Sequence, residues 1–391
     1  MKTLIELYDE RPVENILATE VFRPEKTVFL CTVDVAQNKQ IKENIRSYLR
    51  HRGVNTEPVF IESSLYDTEK IKNQLIKTAN EYPDCVLDIT GGTDAGLFAG
   101  GLTCGEYDLP VFTYSRRKNR FFNILGATFA EGLECDIKYS VNDYFMMAGG
   151  ELKKGRVNND ILADYTEMTE KLFGIYLKNR KTWNKAIEFI RSSSQRAQNT
   201  HSLDVDSPFT VKGNRGKVEC PVSFMRELEK GGFIRSLKTE NGVSVSFTFG
   251  DENIMTWLRD VGSVLELYVS KLCSDCGIFN DVVMSAVVDW DKDIKRDKVT
   301  NEIDVMAMYG VFPLFISCKT CDISTDALNE LAILRDRFGS GIAKAAIVTT
   351  KTCRSITRHR ADELDITVID IEDIKSARIK DIIVSLMKNI K

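Results

Sequence analysis

The chain of 391 residues has only three histidines, His51, His201 and His359, far apart in sequence. That scarcity argues against an imidazole metal centre and points any bound metal towards oxygen ligands. No apolar run approaches the ~18 residues of a membrane span, and the opening MKTLIELYDE meets Glu6 too early for the apolar core of a signal peptide. The expectation is a soluble, cytoplasmic protein with no membrane partner. Ten cysteines are too sparse for a disulfide scaffold, and Cys31 and Cys85 lie inside apolar runs, where a reduced thiol acts as a small hydrophobe. An excess of one charge is missing too. Lys+Arg 53 against Asp+Glu 57 gives a net charge of −4, which excludes a general polycation but leaves room for a local basic surface.

With 43% hydrophobic and 28% charged residues, the composition excludes collagen-like and disordered chains. At roughly 150 residues per domain the length suits two or three domains. Over residues 1–150, the apolar runs TLIEL, TVFLCTV, TEPVFIES, CVLDIT and PVFTYS alternate with helical stretches, and FFNILG with ECDIKYS reads as a hairpin. Continuous β-branched runs between helices predict βαβ units around a buried parallel sheet, a Rossmann-like, doubly wound α/β domain. Over 151–259 a connector is expected. It comprises a long helical stretch from ILADYT to RSSSQ, then VSFMRELEKGG as a helix with a Gly cap, then a hairpin turning at Asn241-Gly242. Helix plus hairpin has a winged-helix-like outline. Over 260–391 the α/β alternation returns, from helix VGSVLELYVSKLC through strands DVVMSAVVDW, NEIDVMAMY and PLFISCKT to the terminal helix IKDIIVSLMKNI, with a charged loop DKDIKRDKVT between the first two strands.

The run CVLDITGGTDAGLFAG sets Gly91, Gly92, Thr93 and Asp94 between a buried strand and a helix. Glycines let backbone N–H groups approach a phosphate, and open α/β sheets bind ligands at the carboxyl ends of their strands. The pattern is neither GxGxxG nor a P-loop, and its bland alternative is a tight turn in which Thr93 or Asp94 caps the helix. Two further loops belong on the same edge: Thr32, Asp34 and Gln37, and Tyr114, Ser115, Arg116 and Arg117, whose cations suit phosphate. Together the three predict a nucleotide pocket.

In NEIDVM, strand alternation puts Glu302 and Asp304 on one face; in FISCKT it does the same for Ser317 and Lys319. Pairing the two strands would bring Asp304 near Lys319. Upstream, Glu266 sits within the apolar VLELYV. Carboxylates that hold Mg²⁺ or Mn²⁺, with a lysine to orient the nucleophile, are what metal-dependent phosphodiester hydrolysis needs. The alternative is a solvated strand face.

PVENILA after the first strand, the LDITGGT turn, NDYFMMAGG, and GSVLELYV…NEIDVM…FISCKT carry a resemblance. The chain resembles the CARF-fused, restriction-endonuclease-like effector nucleases of type III CRISPR defence, over both end domains. The resemblance implies an N-terminal sensor that binds a cyclic oligoadenylate, cyclic tetra-adenylate, across a homodimer. It also implies a C-terminal PD-(D/E)xK nuclease switched on by that ring and cleaving DNA or RNA. In that layout Glu266, Glu302, Asp304 and Lys319 are catalytic, and the metal rests on Asp304, with Glu302 or Glu266 and the Cys318 backbone carbonyl. One position departs: the fuller pattern has Glu-x-Lys on the third strand, where this chain has Ser317-Cys318-Lys319. If neither Glu302 nor Glu266 supplies the missing carboxylate, the nuclease domain is weakly active or dead, and the alternative is a non-catalytic sensor or transcription regulator.

Two signals compete. The pairs Cys273/Cys276 and Cys318/Cys321 resemble zinc-ribbon spacing, although alternation turns Cys318 to the core. The connector's Lys178, Arg180, Lys181, Lys185, Arg191 and Arg196, with Trp183 and Phe189 interleaved, suit nucleic acid or else a solvated helix face over an aromatic core stripe.

Overall fold

In the computed structural model, which describes residues 1–154, 157–214, 216–289, 300–339 and 341–388, the first five apolar runs pair in parallel. They are β1 (Thr3–Leu7), β2 (Lys26–Cys31), β3 (Glu57–Glu62), β4 (Cys85–Asp88) and β5 (Val111–Ser115); β6 (Arg120–Leu125) adds antiparallel to β5, giving the order β3-β2-β1-β4-β5-β6. Crossovers are α1 (Pro12–Phe22), α2 (Val33–Gln37), α3 (Lys39–His51), α4 (Thr68–Glu81) and α5 (Asp94–Tyr107). Alternation divides the core cleanly. Leu4 and Phe29 pack with Ile16, Leu17 and Leu49 on one face, while Ile5 and Val28 pack with Leu75 and Ala99 on the other. The order reverses between β1 and β4, the switch point where a doubly wound sheet opens a crevice. The expected FFNILG–ECDIKYS hairpin does not form. Asn119, at φ +49°, folds β6 back onto the open edge of β5. The return segment meets the β6 backbone only at its start, through the Arg120–Glu134 bridge and the Phe121 N–H to Leu133 and Cys135 N–H to Asn119 bonds at 2.8 and 3.0 Å.

After α6 (Val141–Met147), β7 (Glu151–Lys154) opens the connector but pairs with a C-terminal strand. The long helical stretch divides into α7 (Asn159–Asp164), α8 (Thr166–Asn179), α9 (Trp183–Ser193) and α10 (Gln195–Asn199). At the α8–α9 break, the Asn179 amide donates back to the Ile175 carbonyl, 2.9 Å, a local bond of the kind that competes with helix propagation. Next come β8 (Asp204–Pro208), β9 (Thr210–Gly213), β10 (Gly216–Glu219), α11 (Val222–Lys230), β11 (Ile234–Glu240), β12 (Ser244–Phe249) and α12 (Glu252–Trp257). The β11–β12 hairpin turns through Asn241 and Gly242, both at positive φ, as the Asn-Gly pair predicts.

The C-terminal part contains α13 (Ser263–Asp275), β13 (Asp281–Asp289), β14 (Thr300–Tyr309), β15 (Phe312–Lys319), α14 (Thr325–Phe338), β16 (Lys344–Thr349), α15 (Ser355–Glu363), β17 (Ile366–Ile369), α16 (Ile371–Lys375) and α17 (Ile379–Lys388). The sheet order is β17-β16-β15-β14-β13-β7, antiparallel from β7 to β15 and parallel from β15 to β17. Of the charged loop expected here, residues 291–299 lie outside the described residues. The N-terminal and C-terminal sheets are tied directly. Tyr139 N–H donates to the Gly310 carbonyl at 3.0 Å, Asn280 donates to the Tyr139 carbonyl at 2.7 Å, and Val141 N–H donates to Asp281 at 2.7 Å. Among the described residues no helix is long and apolar enough to cross a membrane.

Candidate functional site

All three loops singled out in the N-terminal domain lie at carboxyl ends of parallel strands: Thr32 after β2, Gly91 to Asp94 after β4, and Tyr114 to Arg116 at the end of β5. Between β2 and β4 runs β1, whose own loop sequence reasoning missed. The Asp9 carboxylate in that loop reaches across the switch point and accepts the Gly92 N–H at 2.9 Å. It also accepts the Arg11 N–H, Nε and Nη2 at 2.9, 2.8 and 2.7 Å. Burial alone would raise the Asp9 pKa, but the bonds from Arg11 and Gly92 hold it below the usual value. Glu14, buried in the first turn of α1, pairs with Arg11 at 3.8 Å and with Arg116. Burial, and then the neighbouring Arg11, lower the Arg116 pKa. Two acids and two arginines thus balance each other at the mouth of the crevice. The signal was readable in YDERPVEN, four charges and an Asn straight after a fully buried strand.

The double glycine is sterically required. A Cβ on Gly91 would meet Asp9 and Glu14 at 3.1 Å, and Gly92 holds φ +96° with Leu7 only 2.7 Å from where its Cβ would stand. Thr93 does cap α5, accepting the Gly96 N–H at 3.2 Å, and it donates to the Leu65 carbonyl. Asp94 and Asp34 are exposed, and Ser115 is half-buried. Tyr114 is buried: its hydroxyl donates to Asn119 at 2.6 Å and its N–H to Thr90 at 2.8 Å, so it ties the β5 loop to the β4 loop. Thr32 lies across β1 from the glycine turn. A cavity of about 230 Å³ opens beside the β1 loop, lined by Tyr8, Asn15, Asn44, Ile45 and Met147 among others. From the C-terminal domain, Gly341 lies against Arg11 and Arg116.

In the C-terminal sheet, the register Val305↔Ile316 continues so that Asp304 falls opposite Ser317. Asp304 accepts the Ser317 hydroxyl at 3.1 Å and the Cys318 N–H at 2.7 Å, and Lys319 Nζ stands 3.7 Å away. Glu302, Asp304, Ser317 and Lys319 share one small cavity of about 50 Å³, closed by α14 with Ala327, Glu330 and Leu334. The Glu330 carboxylate was missed; one acid on the polar side of an amphipathic helix carries no signal of its own. Glu266 is only 9% exposed and does not line that cavity. It accepts the Ser285 hydroxyl at 2.9 Å, from a strand position held at φ +50°. Burial above all, then the charges of Asp304, Asp260 and Glu302, push Glu266 up to about 8 against that hydrogen bond. Asp260, also missed, accepts the Ser263 N–H and hydroxyl at 3.1 and 2.8 Å.

Among the described residues no three His, Cys, Asp or Glu side chains stand close enough together to cage a metal ion. The donor set is nonetheless all oxygen, and the charges of Asp304, Asp260 and Glu302 that add to burial in raising Glu266 are ones a divalent cation would offset. Cys318 and Cys273 are buried. Trp183 and Phe189 are 1% and 0% exposed, so the connector's aromatics belong to the core and offer no stacking platform.

Residues 256–389 match the family of Card1-like endonuclease domains. The fold of the whole chain is shared with protein VC1899 from Vibrio cholerae, at TM-score 0.72 and 17% identity over 99% of this chain and 98% of that one. It is also shared with Can2 from Sulfobacillus thermosulfidooxidans, solved in complex with cyclic tetra-adenylate, at TM-score 0.68 and 16% identity over 99% and 97%. No curated protein matches the chain by sequence. The C-terminal domain is thus similar to Card1-like endonuclease domains on a chain with the fold of Can2, as the resemblance to CARF-plus-nuclease effectors implies.

Proposed function

We propose that the protein is a cyclic tetra-adenylate-activated, metal-dependent endonuclease of type III CRISPR antiviral defence, cytoplasmic and homodimeric, that hydrolyses DNA or RNA phosphodiesters. Residues 1–150 are the sensor, 151–259 the connector and 260–391 the nuclease. The observation that carries the reading is the Asp304–Lys319 pair, with Glu302 in the same cavity, inside the domain that matches Card1-like endonucleases.

Asp304, with Glu302 or Glu266 and the Cys318 carbonyl, would hold Mg²⁺ or Mn²⁺. When bound, such an ion supplies an activated water and offsets phosphate charge. Ser317 and the Cys318 N–H both donate to the Asp304 Oδ2, which is also the oxygen 3.7 Å from Lys319 Nζ, and so hold the carboxylate in place. Lys319 then positions the attacking water or the scissile phosphate. In the sensor, the Gly91–Gly92 turn, Thr93, Asp94, Thr32, Asp34 and the Tyr114–Arg116 loop take the ring. The two-fold runs beside α5, where Phe98 is 63% exposed and Gly101 and Gly105 leave open space. A symmetric ring suits such an isologous pocket. It gates cutting by binding the active dimer state more tightly than the idle one.

The site assignment is tested by Asp304→Ala and Lys319→Ala. Each should abolish cutting and leave ring affinity unchanged, and normal cutting by either variant would overturn the assignment. Ser317 favours the second reading, a ring sensor or transcription regulator without catalysis, because its hydroxyl brings no charge to the site. Ring binding with no cutting of any nucleic acid would select that reading.

A further inference from the structure

The α8–α9 hairpin is pinned to both sides of the nuclease domain's active end. On one side, Tyr176 hydrogen-bonds Thr350 through their hydroxyls at 2.6 Å and Arg180 donates to the Thr350 carbonyl at 3.1 Å. Thr350 N–H in turn donates to the carbonyl of Lys319 at 3.2 Å. On the other side, Trp183 Nε1 donates to the Val261 carbonyl at 3.2 Å and Arg191 Nε to the Arg259 carbonyl at 2.7 Å, just before the helix that carries Glu266. The hairpin therefore cannot move without moving the frame of the candidate nuclease centre.

Arg180 and Arg191 are thus engaged, Arg191 also lying 3.9 Å from Asp260, but two lysines of the hairpin are not. Lys181 and Lys185 are exposed and pair with no carboxylate among the described residues, and the same holds for Lys351 and Arg354 in the β16–α15 loop. Two hollows lie beside Lys185 and beside Lys351 and Arg354. One, of about 330 Å³, is lined by Asn184, Lys185, Arg191 and Asn214, and its carboxylate Glu188 is already engaged by the Asn214 N–H. The other, of about 230 Å³, is lined by Ser324, Lys351, Thr352, Arg354 and Thr357, with Asp322 as its carboxylate. Amides with Lys185 at the first hollow, and hydroxyls with Lys351 and Arg354 at the second, fit the oxygens of a polyanion. The start of α15, which has no side-chain cap, adds open N–H groups to the second hollow.

We propose that the α8–α9 hairpin and the β16–α15 loop form one surface that grips the phosphodiester backbone of a nucleic acid on the two flanks of Lys319. The surface rests on the nuclease reading and extends it. The backbone is held through phosphates rather than bases, because the hairpin's aromatics are buried. The grip is electrostatic and sequence-independent.

The test is binding of a labelled mixed-sequence oligonucleotide, as single-stranded DNA, single-stranded RNA and duplex, to the full chain with cyclic tetra-adenylate and without divalent metal, over a salt series. The double variants Lys181→Ala/Lys185→Ala and Lys351→Ala/Arg354→Ala should each weaken binding about tenfold and flatten the salt dependence by between about one and two counterions. Arg235→Ala/Lys238→Ala, on the exposed hairpin of the winged-helix-like segment, should bind as the unaltered protein does. Loss in that third variant alone, or unchanged affinity in the first two, would overturn the surface while leaving the nuclease reading standing. Failure of the unaltered protein to bind any of the three would overturn the nuclease reading itself.

Discussion

Asp9 holds the Gly92 amide at 2.9 Å, so the glycine turn proposed to take the ring is already satisfied by an anion from its own chain. A phosphate that takes this amide must displace a carboxylate, which also releases Arg11. Removing the charge while keeping an acceptor should therefore help the ligand. Asp9→Asn is expected to bind cyclic tetra-adenylate more tightly, by roughly fivefold at low salt, since a like charge beside a polyanion is removed. Titration by calorimetry reads this directly, and weaker binding would mean that Asp9 supports the ligand instead of competing with it.

Asp88 lies at the buried end of β4, accepting the Thr90 N–H at 2.7 Å, and burial pushes its pKa up to about 7. Its folded pKa is raised above the unfolded one. The stability it contributes is thus full below the ordinary aspartate range and is lost as pH rises through about 7. At pH 8 the loss relative to pH 4 is on the order of 4 kcal/mol at most. Asp88→Asn should flatten the fall in melting temperature between mildly acidic and mildly alkaline buffer. A variant that falls as steeply as the unaltered chain would contradict the assignment.

Phe98 projects from α5 at 63% exposure, next to the open Gly101 and Gly105. If the two-fold runs here, Phe98→Asp should halve the mass seen by sedimentation. It should also cost ~100-fold in ring affinity, because each half-pocket then binds alone. A variant that remains dimeric would move the interface elsewhere on the sensor.

Elements carried by local period were legible in the sequence. TLIEL, CVLDIT and PVFTYS became neighbouring or near-neighbouring strands of one parallel sheet, and alternation in NEIDVM and FISCKT placed Glu302, Asp304, Ser317 and Lys319 around one cavity. What stayed hidden depended on contacts distant in sequence. Asp9 meets Gly92 across 83 positions, and β7 leaves the connector to edge a sheet whose other strands lie far downstream. At the break between α8 and α9 the Asn179 side chain bonds the Ile175 carbonyl and Glu227, contacts that hydropathy does not register. Glu330 and Asp260 join the candidate centre only because α14 and the start of α13 pack where they do.

The central claim is that the ring switches on a nuclease. The most direct measurement is cleavage of supercoiled plasmid and of labelled single-stranded RNA and DNA, with Mn²⁺ or Mg²⁺, in the presence and absence of cyclic tetra-adenylate. The account predicts cutting that needs both ring and metal. Cutting at the same rate without the ring, or none on any substrate under saturating ring, would contradict it.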